Sequence, residues 1–104
     1  MAEFIKVCSK NDVQPGRGKT VTIKGKEIAI LNDKGKFYAI DNTCAHVGGS
    51  LGDGDCNNKV VTCPLHSWEY NLETGENTFD PSVKLNTYEV KLQGNDILIS
   101  SKPK

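Results

Sequence analysis

The segments Cys44-Ala45-His46 and Cys63-Pro64-Leu65-His66 decide how this 104-residue chain is organised. Each segment supplies one thiolate and one imidazole, and the 16 residues 47–62 separate them. Both histidines of the chain fall within these two segments. Cysteine and histidine are ligands that soft and borderline transition metals prefer. The spacing therefore predicts one metal site with four ligands, which are Cys44, His46, Cys63 and His66.

A glycine-rich stretch follows the first segment. Residues 47–54, Val-Gly-Gly-Ser-Leu-Gly-Asp-Gly, contain four glycines, and glycine lets the backbone wrap closely round a buried object because it has no Cβ. Pro64 stiffens the second segment, and Gly75 turns the chain after it. We therefore expect both ligand segments to lie in loops that converge on one site.

Two kinds of metal group accept two thiolates and two imidazoles. Structural zinc sites usually take a ligand pair from one knuckle or from a helix with two spaced histidines, and neither segment has this form. A 2Fe-2S cluster can be held unequally, by two cysteines on one iron and two histidines on the other. Two loops with one cysteine and one histidine each deliver that division. We favour the cluster and keep a structural zinc module that binds a partner as the alternative.

The sequence closely resembles the Rieske 2Fe-2S domain. The resemblance rests on Cys44-x-His46, Cys63-x-x-His66 and the glycine-rich stretch, and it continues through Trp68-x-Tyr70-x-Leu72. It implies that one 2Fe-2S cluster is bound per chain. By the same resemblance, the inner iron is held by Cys44 and Cys63, and the outer, solvent-facing iron by His46 and His66.

Cys8 and Cys56 lie outside the expected ligand set. In high-potential relatives, a disulfide joins the two cluster loops, and by resemblance its positions here hold Gly49 and Leu65. Thiols stay reduced in the cytoplasm. We therefore expect Cys8 and Cys56 to be small, partly buried packing residues.

Length and charge limit the functional classes. The length predicts a single domain, residues 1–104, into which a cluster-binding subdomain of about residues 41–83 is inserted. Thirteen basic residues balance 13 acidic ones, so no overall positive field favours nucleic acid or an anionic membrane as partner. The sequence has no apolar run of transmembrane length and no signal-like start. We expect a cytoplasmic monomer.

Short β-branched and aromatic runs between turn residues predict an all-β fold. The resemblance implies a Rieske-like antiparallel sandwich or barrel with the cluster-binding subdomain inserted. Gly94-Asn95 suits a two-residue type II′ hairpin turn, and residues 102–104 are expected to be a frayed tail. Strands are expected at 21–23, 27–31, 37–40, 60–62, 88–92 and 97–99.

A chain with such a cluster is expected to carry electrons and not to be an enzyme. No histidine remains outside the ligand segments to act as a general base. The resemblance implies a soluble Rieske ferredoxin that passes electrons from a flavin-dependent ferredoxin reductase to a terminal oxygenase or another oxidoreductase. The alternative is the small Rieske subunit of an NAD(P)H-dependent nitrite reductase, which Cys63-Pro64-Leu65-His66-x-Trp68 also resembles.

The residues after the second segment predict a reduction potential low in the Rieske range of about −150 to +300 mV. Hydrogen-bond donors to the sulfurs stabilise the reduced cluster. By resemblance, high-potential relatives have a serine donor where this chain has Trp68, whereas Tyr70 matches their tyrosine donor. The alternative role for Tyr70 is that of a core aromatic.

Charge is divided unevenly along the neutral chain. Residues 41–83 contain seven acidic residues and one basic residue, Lys59, so their formal charge is −6 and that of the rest is +6. We expect an acidic rim that orients the histidine end toward a basic patch on a partner. Charges distributed by chance are the alternative. The rim is expected to surround an apolar tip of Val47, Leu51, Leu65 and Pro81.

Overall fold

The computed structural model describes residues 3–43, 50–64 and 68–104. The strands within these ranges are β1 (Phe4–Ser9), β2 (Gly18–Ile23), β3 (Lys26–Asp33), β4 (Lys36–Asp41), β5 (Asp55–Asn57), β6 (Val60–Thr62), β7 (Glu69–Asn71), β8 (Thr87–Gln93) and β9 (Asp96–Pro103). Two 3-10 helices are described, Lys10–Asp12 and Leu51–Asp53. No helix in this part of the chain has the length and apolar composition needed to cross a membrane. The prediction of an all-β fold is confirmed.

Six strands form the larger sheet in the order β1-β9-β8-β4-β3-β2, and all neighbouring pairs are antiparallel. Cys8 on one edge strand and Ile23 on the other belong to one hydrophobic cluster. An ion pair of 3.1 Å between Lys24 and Glu3 links the same two edges. The sheet therefore curls into a nearly closed barrel, as the resemblance implied.

Two-residue turns connect neighbouring strands of the larger sheet. Lys24-Gly25 and Lys34-Gly35 have positive φ at both positions, which is the type I′ geometry that matches the twist of the strands. Gly94 has a φ of 61°, and a type II′ turn needs such a conformation at its first central position. The predicted hairpin between β8 and β9 is therefore present.

The smaller sheet consists of β5, β6 and β7, which are antiparallel and have three residues each. We call the described residues between 41 and 83 the smaller lobe. Side chains of the lobe pack against one face of β3 and β4, and this cluster includes Ala29, Leu31, Tyr38, Ile40, Leu51, Val61, Cys63, Tyr70 and Leu72. The opposite face of the same two strands contributes Ile28, Ile30, Phe37 and Ala39 to the barrel core. Both faces of β3 and β4 are therefore buried, and the lobe rests on the barrel wall.

The prediction that residues 102–104 fray is wrong. β9 continues to Pro103, which pairs with Tyr88 of β8. The backbone N–H of Lys104 donates a hydrogen bond of 2.8 Å to Thr87 O. The C-terminal residues are ordered because they complete the hydrogen bonding at the start of β8, and this pairing is not visible in the local sequence.

Candidate metal centre

The structure places one of the four expected ligands. Cys63 lies among the described residues, whereas Cys44, His46 and His66 lie outside them. Gly49 and Leu65, which mark the disulfide positions of high-potential relatives, also lie outside. In the described ranges, no group of three Cys, His, Asp or Glu side chains is placed to hold a metal ion. The full ligand set therefore stays a prediction.

Cys63 follows β6 directly and is 1% exposed. It belongs to the hydrophobic cluster that also contains Leu51, Tyr70 and Leu72. Its backbone N–H donates a hydrogen bond of 2.7 Å to Trp68 O, so the chain is pinned on either side of residues 64–67. An ionised thiolate in an apolar setting needs a metal to stabilise its charge. The position of Cys63 therefore fits a ligand of a buried metal group.

Asn42 joins the described residues on either side of the first ligand segment. Its side-chain Oδ1 accepts hydrogen bonds from Ser50 Oγ at 3.2 Å and from Gly52 N at 2.8 Å. Its backbone oxygen accepts a hydrogen bond of 2.8 Å from Leu51 N. The described residues Thr43 and Ser50, which flank segment 44–49, are thereby held side by side. The sequence analysis missed Asn42, and the available signal was a polar residue directly after an apolar strand and two positions before a cysteine.

The 3-10 helix Leu51–Asp53 connects this point with the strand that leads to Cys63. A Cβ at Gly54 would collide with Thr62 O, and Asp55 pairs with Thr62 in the smaller sheet. Glycine is required at position 54 because the two backbones approach so closely. The described residues that follow segment 44–49 therefore lie near Thr62, the residue before Cys63, whereas the convergence of the two ligand loops stays a prediction.

Cys8 and Cys56 are buried and unpaired. Burial raises the pKa of the Cys8 thiol. Burial, followed by the charges of Asp33 and Asp55, raises the pKa of the Cys56 thiol to about 11, and this thiol donates a hydrogen bond of 3.2 Å to Asn32 O. A cysteine ligand must be ionised, so both residues are protonated packing residues. They are more deeply buried than expected.

A hydrogen-bonded clamp lies where the chain enters the smaller lobe. Asp41, the last residue of β4, accepts a hydrogen bond of 2.6 Å from Tyr88 Oη and one of 2.9 Å from Asn86 N. Burial, followed by the hydrogen bond to Asp41 and its charge, raises the pKa of Tyr88. The clamp fixes the backbone three residues before Cys44. The sequence analysis missed this clamp because Asn86 and Tyr88 lie 45 and 47 residues after Asp41 in the sequence.

The exposed apolar surface of the lobe differs from the expected tip. The prediction that Leu51 belongs to this tip is wrong, because Leu51 is 0% exposed and packs into the cluster shared with β3 and β4. Pro81 is exposed, and Val47 and Leu65 lie outside the described residues. The large hydrophobic side chain that the lobe does expose is Phe79, which the sequence analysis did not single out.

Part of the acidic charge of the lobe is paired on the surface. Asp55 lies 3.1 Å from Arg17 and Glu73 lies 3.7 Å from Lys59, and all four side chains are largely exposed. Exposed pairs contribute little to stability. Arg17 comes from outside the lobe, so the acidic surface borders one basic side chain of the barrel. Asp53 is exposed, so negative charge remains at the surface.

The chain is similar to known proteins in both sequence and structure. The Rieske [2Fe-2S] domain family matches residues 3–89. The chain is 35% identical over 95 residues to the ferredoxin component of biphenyl 2,3-dioxygenase from Rhodococcus jostii, which covers 90% of this chain and 89% of that protein. It also matches a chain in a solved complex of reduced oxygenase and oxidized ferredoxin in carbazole 1,9a-dioxygenase, with 30% identity, a TM-score of 0.85, and coverage of 97% of this chain and 95% of that chain.

A further solved structure, described as the small subunit of an NADH-dependent nitrite reductase from Mycobacterium tuberculosis, has a TM-score of 0.89. Its sequence identity is 21%, with coverage of 98% of this chain and 97% of that chain. At this identity the likeness concerns the fold. It extends the same architecture to a second kind of redox system.

The family match decides between the two metal groups that the ligand set allowed. Rieske domains bind a 2Fe-2S cluster, and a cluster of this kind supplies one-electron exchange. The zinc alternative is therefore set aside. Relatives are named as ferredoxin components, which are electron carriers and not catalytic enzymes. The family match covers residues 3–89, and the β-barrel and the buried Cys63 after β6 are consistent with that family. This chain therefore belongs to the Rieske [2Fe-2S] domain family as an electron carrier with a 2Fe-2S cluster.

Proposed function

We propose that this chain is the ferredoxin of an oxygenase system, which takes electrons from a flavin-dependent ferredoxin reductase and passes them to a terminal oxygenase. The observation that carries this proposal is the match along nearly the whole chain to the ferredoxin component of biphenyl 2,3-dioxygenase. The similarity to the ferredoxin bound to an oxygenase in the carbazole 1,9a-dioxygenase complex supports the same role.

The proposed cluster ligands are Cys44 and Cys63 on the inner iron, and His46 and His66 on the outer iron. The burial of Cys63 supports this assignment. So do the described residues around the ligand segments, because Asn42 hydrogen-bonds to Gly52 and Gly54 closely approaches Thr62, the residue before Cys63. We also propose that residues 1–104 form one domain and that residues of about 41–83 are its cluster-binding subdomain.

The proposed setting is the cytoplasm, with the chain acting as a monomer that binds neither nucleic acid nor membranes. Cys8 and Cys56 support a reducing compartment because both are unpaired. The balance of 13 basic and 13 acidic residues supports protein partners over polyanions.

The small Rieske subunit of an NAD(P)H-dependent nitrite reductase is the second candidate. The motif Cys63-Pro64-Leu65-His66-x-Trp68 resembles that subunit, and the fold likeness to the M. tuberculosis protein is compatible with it. In that role the chain would remain bound to one enzyme and would not move between a reductase and an oxygenase.

Electron transfer to defined acceptors separates the two candidates. The reduced protein is mixed anaerobically in a stopped-flow instrument, in separate runs, with the oxidised terminal oxygenases of the biphenyl and carbazole systems. A third run uses the catalytic subunit of an NADH-dependent nitrite reductase. We expect reduction of at least one oxygenase at a rate that rises with the concentration of that oxygenase. Faster transfer to the nitrite reductase would favour the second candidate, and failure to reduce either oxygenase would contradict the proposal.

A further inference from the structure

The smaller lobe displays a large aromatic side chain to solvent. Phe79 is 68% exposed, and among the described residues the other large hydrophobic side chain of this kind is Leu92 of β8, at 45%. The ring of Phe79 meets that of Trp68 edge to face, with 6.1 Å between centroids and an interplanar angle of 89°. Trp68 directly follows residues 65–67, which include the proposed ligand His66. We call Trp68 and Phe79 the aromatic edge.

Hydrogen bonds within one turn hold Phe79 in this exposed position. The buried Asn77 accepts, through Oδ1, hydrogen bonds from Phe79 N at 2.9 Å and Asp80 N at 3.0 Å. Asp80 Oδ1 in turn accepts hydrogen bonds from Ser82 N at 3.1 Å and Ser82 Oγ at 2.6 Å. Asn77 N donates a hydrogen bond of 2.9 Å to Val83 O, which closes the base of the turn. The backbone that carries the phenylalanine is therefore fixed at both ends.

An exposed phenylalanine on a fixed turn forgoes the hydrophobic stabilisation that burial would provide. Aromatic side chains have few rotatable bonds, so they lose little conformational entropy when a partner covers them. Aromatic residues also predominate among the side chains that carry most of the binding energy of protein interfaces. The turn therefore has the features of a preorganised contact surface.

Acidic groups flank the aromatic edge and indicate the chemistry of that protein. Glu69 follows Trp68, and Asp80 follows Phe79. Hydrogen bonds from Ser82 lower the pKa of the exposed Asp80 carboxyl, so it is negatively charged at neutral pH. The lobe as a whole has a formal charge of −6. A complementary surface combines an apolar recess with a rim of lysine or arginine.

We propose that Phe79 is the anchor by which this chain docks on its terminal oxygenase. Phe79 fills an apolar recess of the oxygenase, and Glu69 and Asp80 face basic residues at its rim. This inference rests on the proposed function in an oxygenase system and adds the residue on which docking depends. Docking at the aromatic edge would bring the partner next to Trp68, two residues after His66, which is the proposed ligand of the outer iron.

Phe79→Ser and the matched control Leu92→Ser each remove one exposed hydrophobic side chain, the first from the lobe and the second from the barrel. Both variants and the wild type are compared with their clusters in place and their potentials measured by film voltammetry. The acceptor is the biphenyl or carbazole oxygenase that the wild type reduces faster. For Phe79→Ser we expect the oxygenase concentration that gives half the limiting electron-transfer rate to rise about tenfold or more. The limiting rate and the reduction potential should stay unchanged. Leu92→Ser should match the wild type.

Phe79→Leu, which keeps a large apolar side chain, provides a second variant in case the serine substitution lowers cluster content. It should lose less affinity than Phe79→Ser and more than Leu92→Ser. Equal half-saturating concentrations for the wild type and all Phe79 variants would overturn the anchor while leaving the proposed function intact. A loss confined to reduction of the chain by a reductase would overturn the assignment to the oxygenase. Absence of transfer from the wild type to both oxygenases would overturn the function itself, and the anchor with it.

Discussion

The larger sheet and the smaller lobe are held together in different ways. Strands of the larger sheet have six to eight residues, and two-residue turns join β2 to β3, β3 to β4 and β8 to β9. Strands of the lobe have three residues, and its turns after β7 rely on Asn71, Asn77 and Asp80, whose side chains accept hydrogen bonds from backbone N–H groups. The barrel therefore depends on long backbone ladders, whereas the lobe depends on polar caps and on the core it shares with β3 and β4.

The two regions also differ in charge, with −6 on residues 41–83 and +6 on the rest. This division has no clear use in folding, because most of the acidic side chains involved are at least partly exposed. It gives the molecule a direction in the field of a charged partner. Under the proposed function, the barrel is the scaffold, and the lobe contains the proposed ligand Cys63 and the proposed docking surface.

The largest effect is expected for Cys63, which links the two regions at the end of β6. Cys63→Ala should abolish cluster binding, because a thiolate ligand is removed from a buried site. Cys56→Ala is the control, since Cys56 is also buried in the same hydrophobic cluster but its thiol is protonated. Elemental analysis after anaerobic purification should find two irons and two acid-labile sulfides in the wild type and the control, and almost none in Cys63→Ala.

Paramagnetic resonance of the reduced wild type should show a rhombic low-g signal. One zinc per chain, without this signal, would contradict the cluster assignment. A Cys63→Ala protein that retains a full complement of iron would contradict the role of Cys63.

The clamp between Tyr88 and Asp41 tests how firmly the lobe is joined to the barrel. Tyr88→Phe should lower the free energy of unfolding by about 1.5–3 kcal/mol, as expected for a hydrogen bond to a charged group. Tyr38→Phe is the control, because Tyr38 Oη is buried without a hydrogen-bond partner in the described structure. Its removal should change stability little or raise it slightly. Urea unfolding followed by circular dichroism measures the free energy of unfolding of both variants. Equal losses of stability in Tyr88→Phe and Tyr38→Phe would contradict the clamp.

The pair of Tyr88 and Asp41 also predicts that the free energy of unfolding depends on pH. Burial and Asp41 raise the folded-state pKa of Tyr88 above its ordinary value of 10.0, so the protonated hydroxyl is favoured in the folded state. The contribution of Tyr88 is therefore fully present below about pH 10 and is lost as the pH rises toward the folded pKa. The difference in stability between the wild type and Tyr88→Phe should narrow above about pH 10. A constant difference would show that the hydroxyl does not titrate with folding.

Charge reversal sharpens the electrostatic half of the comparison. Asp53→Lys with Asp55→Lys in the lobe should slow electron transfer to the oxygenase several-fold at low salt, because steering is lost. The control is Glu89→Lys with Asp96→Lys in the barrel, which changes net charge equally. Asp55 and Asp96 each form one exposed ion pair, so this feature is matched. The potential should stay nearly unchanged in both double variants.

The slowing should fade with added salt, because the Debye length falls from about 10 Å at 0.1 M to about 3 Å at 1 M. Wild-type stopped-flow rates should fall over the same range. Rates that are indifferent to salt or rise with it would exclude steering, and so would equal slowing by the two double variants.

The smallest effect is expected for the potential. The wild type should lie below about +150 mV, in the lower part of the Rieske range. Tyr70 is 0% exposed and belongs to the same hydrophobic cluster as Cys63, and Tyr70→Phe should lower the potential by roughly a few tens of mV if its hydroxyl stabilises the reduced cluster. Tyr38→Phe removes a hydroxyl elsewhere in the same hydrophobic cluster and should leave the reduction potential unchanged. In film voltammetry, an unchanged potential for Tyr70→Phe would assign Tyr70 to the core.

By itself, the sequence determined the class of cofactor and the course of the barrel. The identity and spacing of the cysteines and histidines allowed a 2Fe-2S cluster or zinc, and the resemblance of the sequence to the Rieske domain selected the cluster without knowledge of the fold. Residues 27–31 and 37–40 were predictable as strands because apolar runs, turns and ladder hydrogen bonds are local. The hairpin turn at Gly94 was predictable for the same reason.

Only the tertiary structure decided which side chains face solvent in the lobe and where distant segments meet. Leu51 is buried and Phe79 exposed, although both are apolar residues in glycine- or turn-rich sequence, because burial depends on which surface covers a side chain. The bond from Tyr88 to Asp41 and the pairing of Pro103 with Tyr88 join segments that no local pattern relates. These contacts form because β8 pairs with both β4 and β9 in the larger sheet, and Leu51 is buried because the lobe packs against β3 and β4.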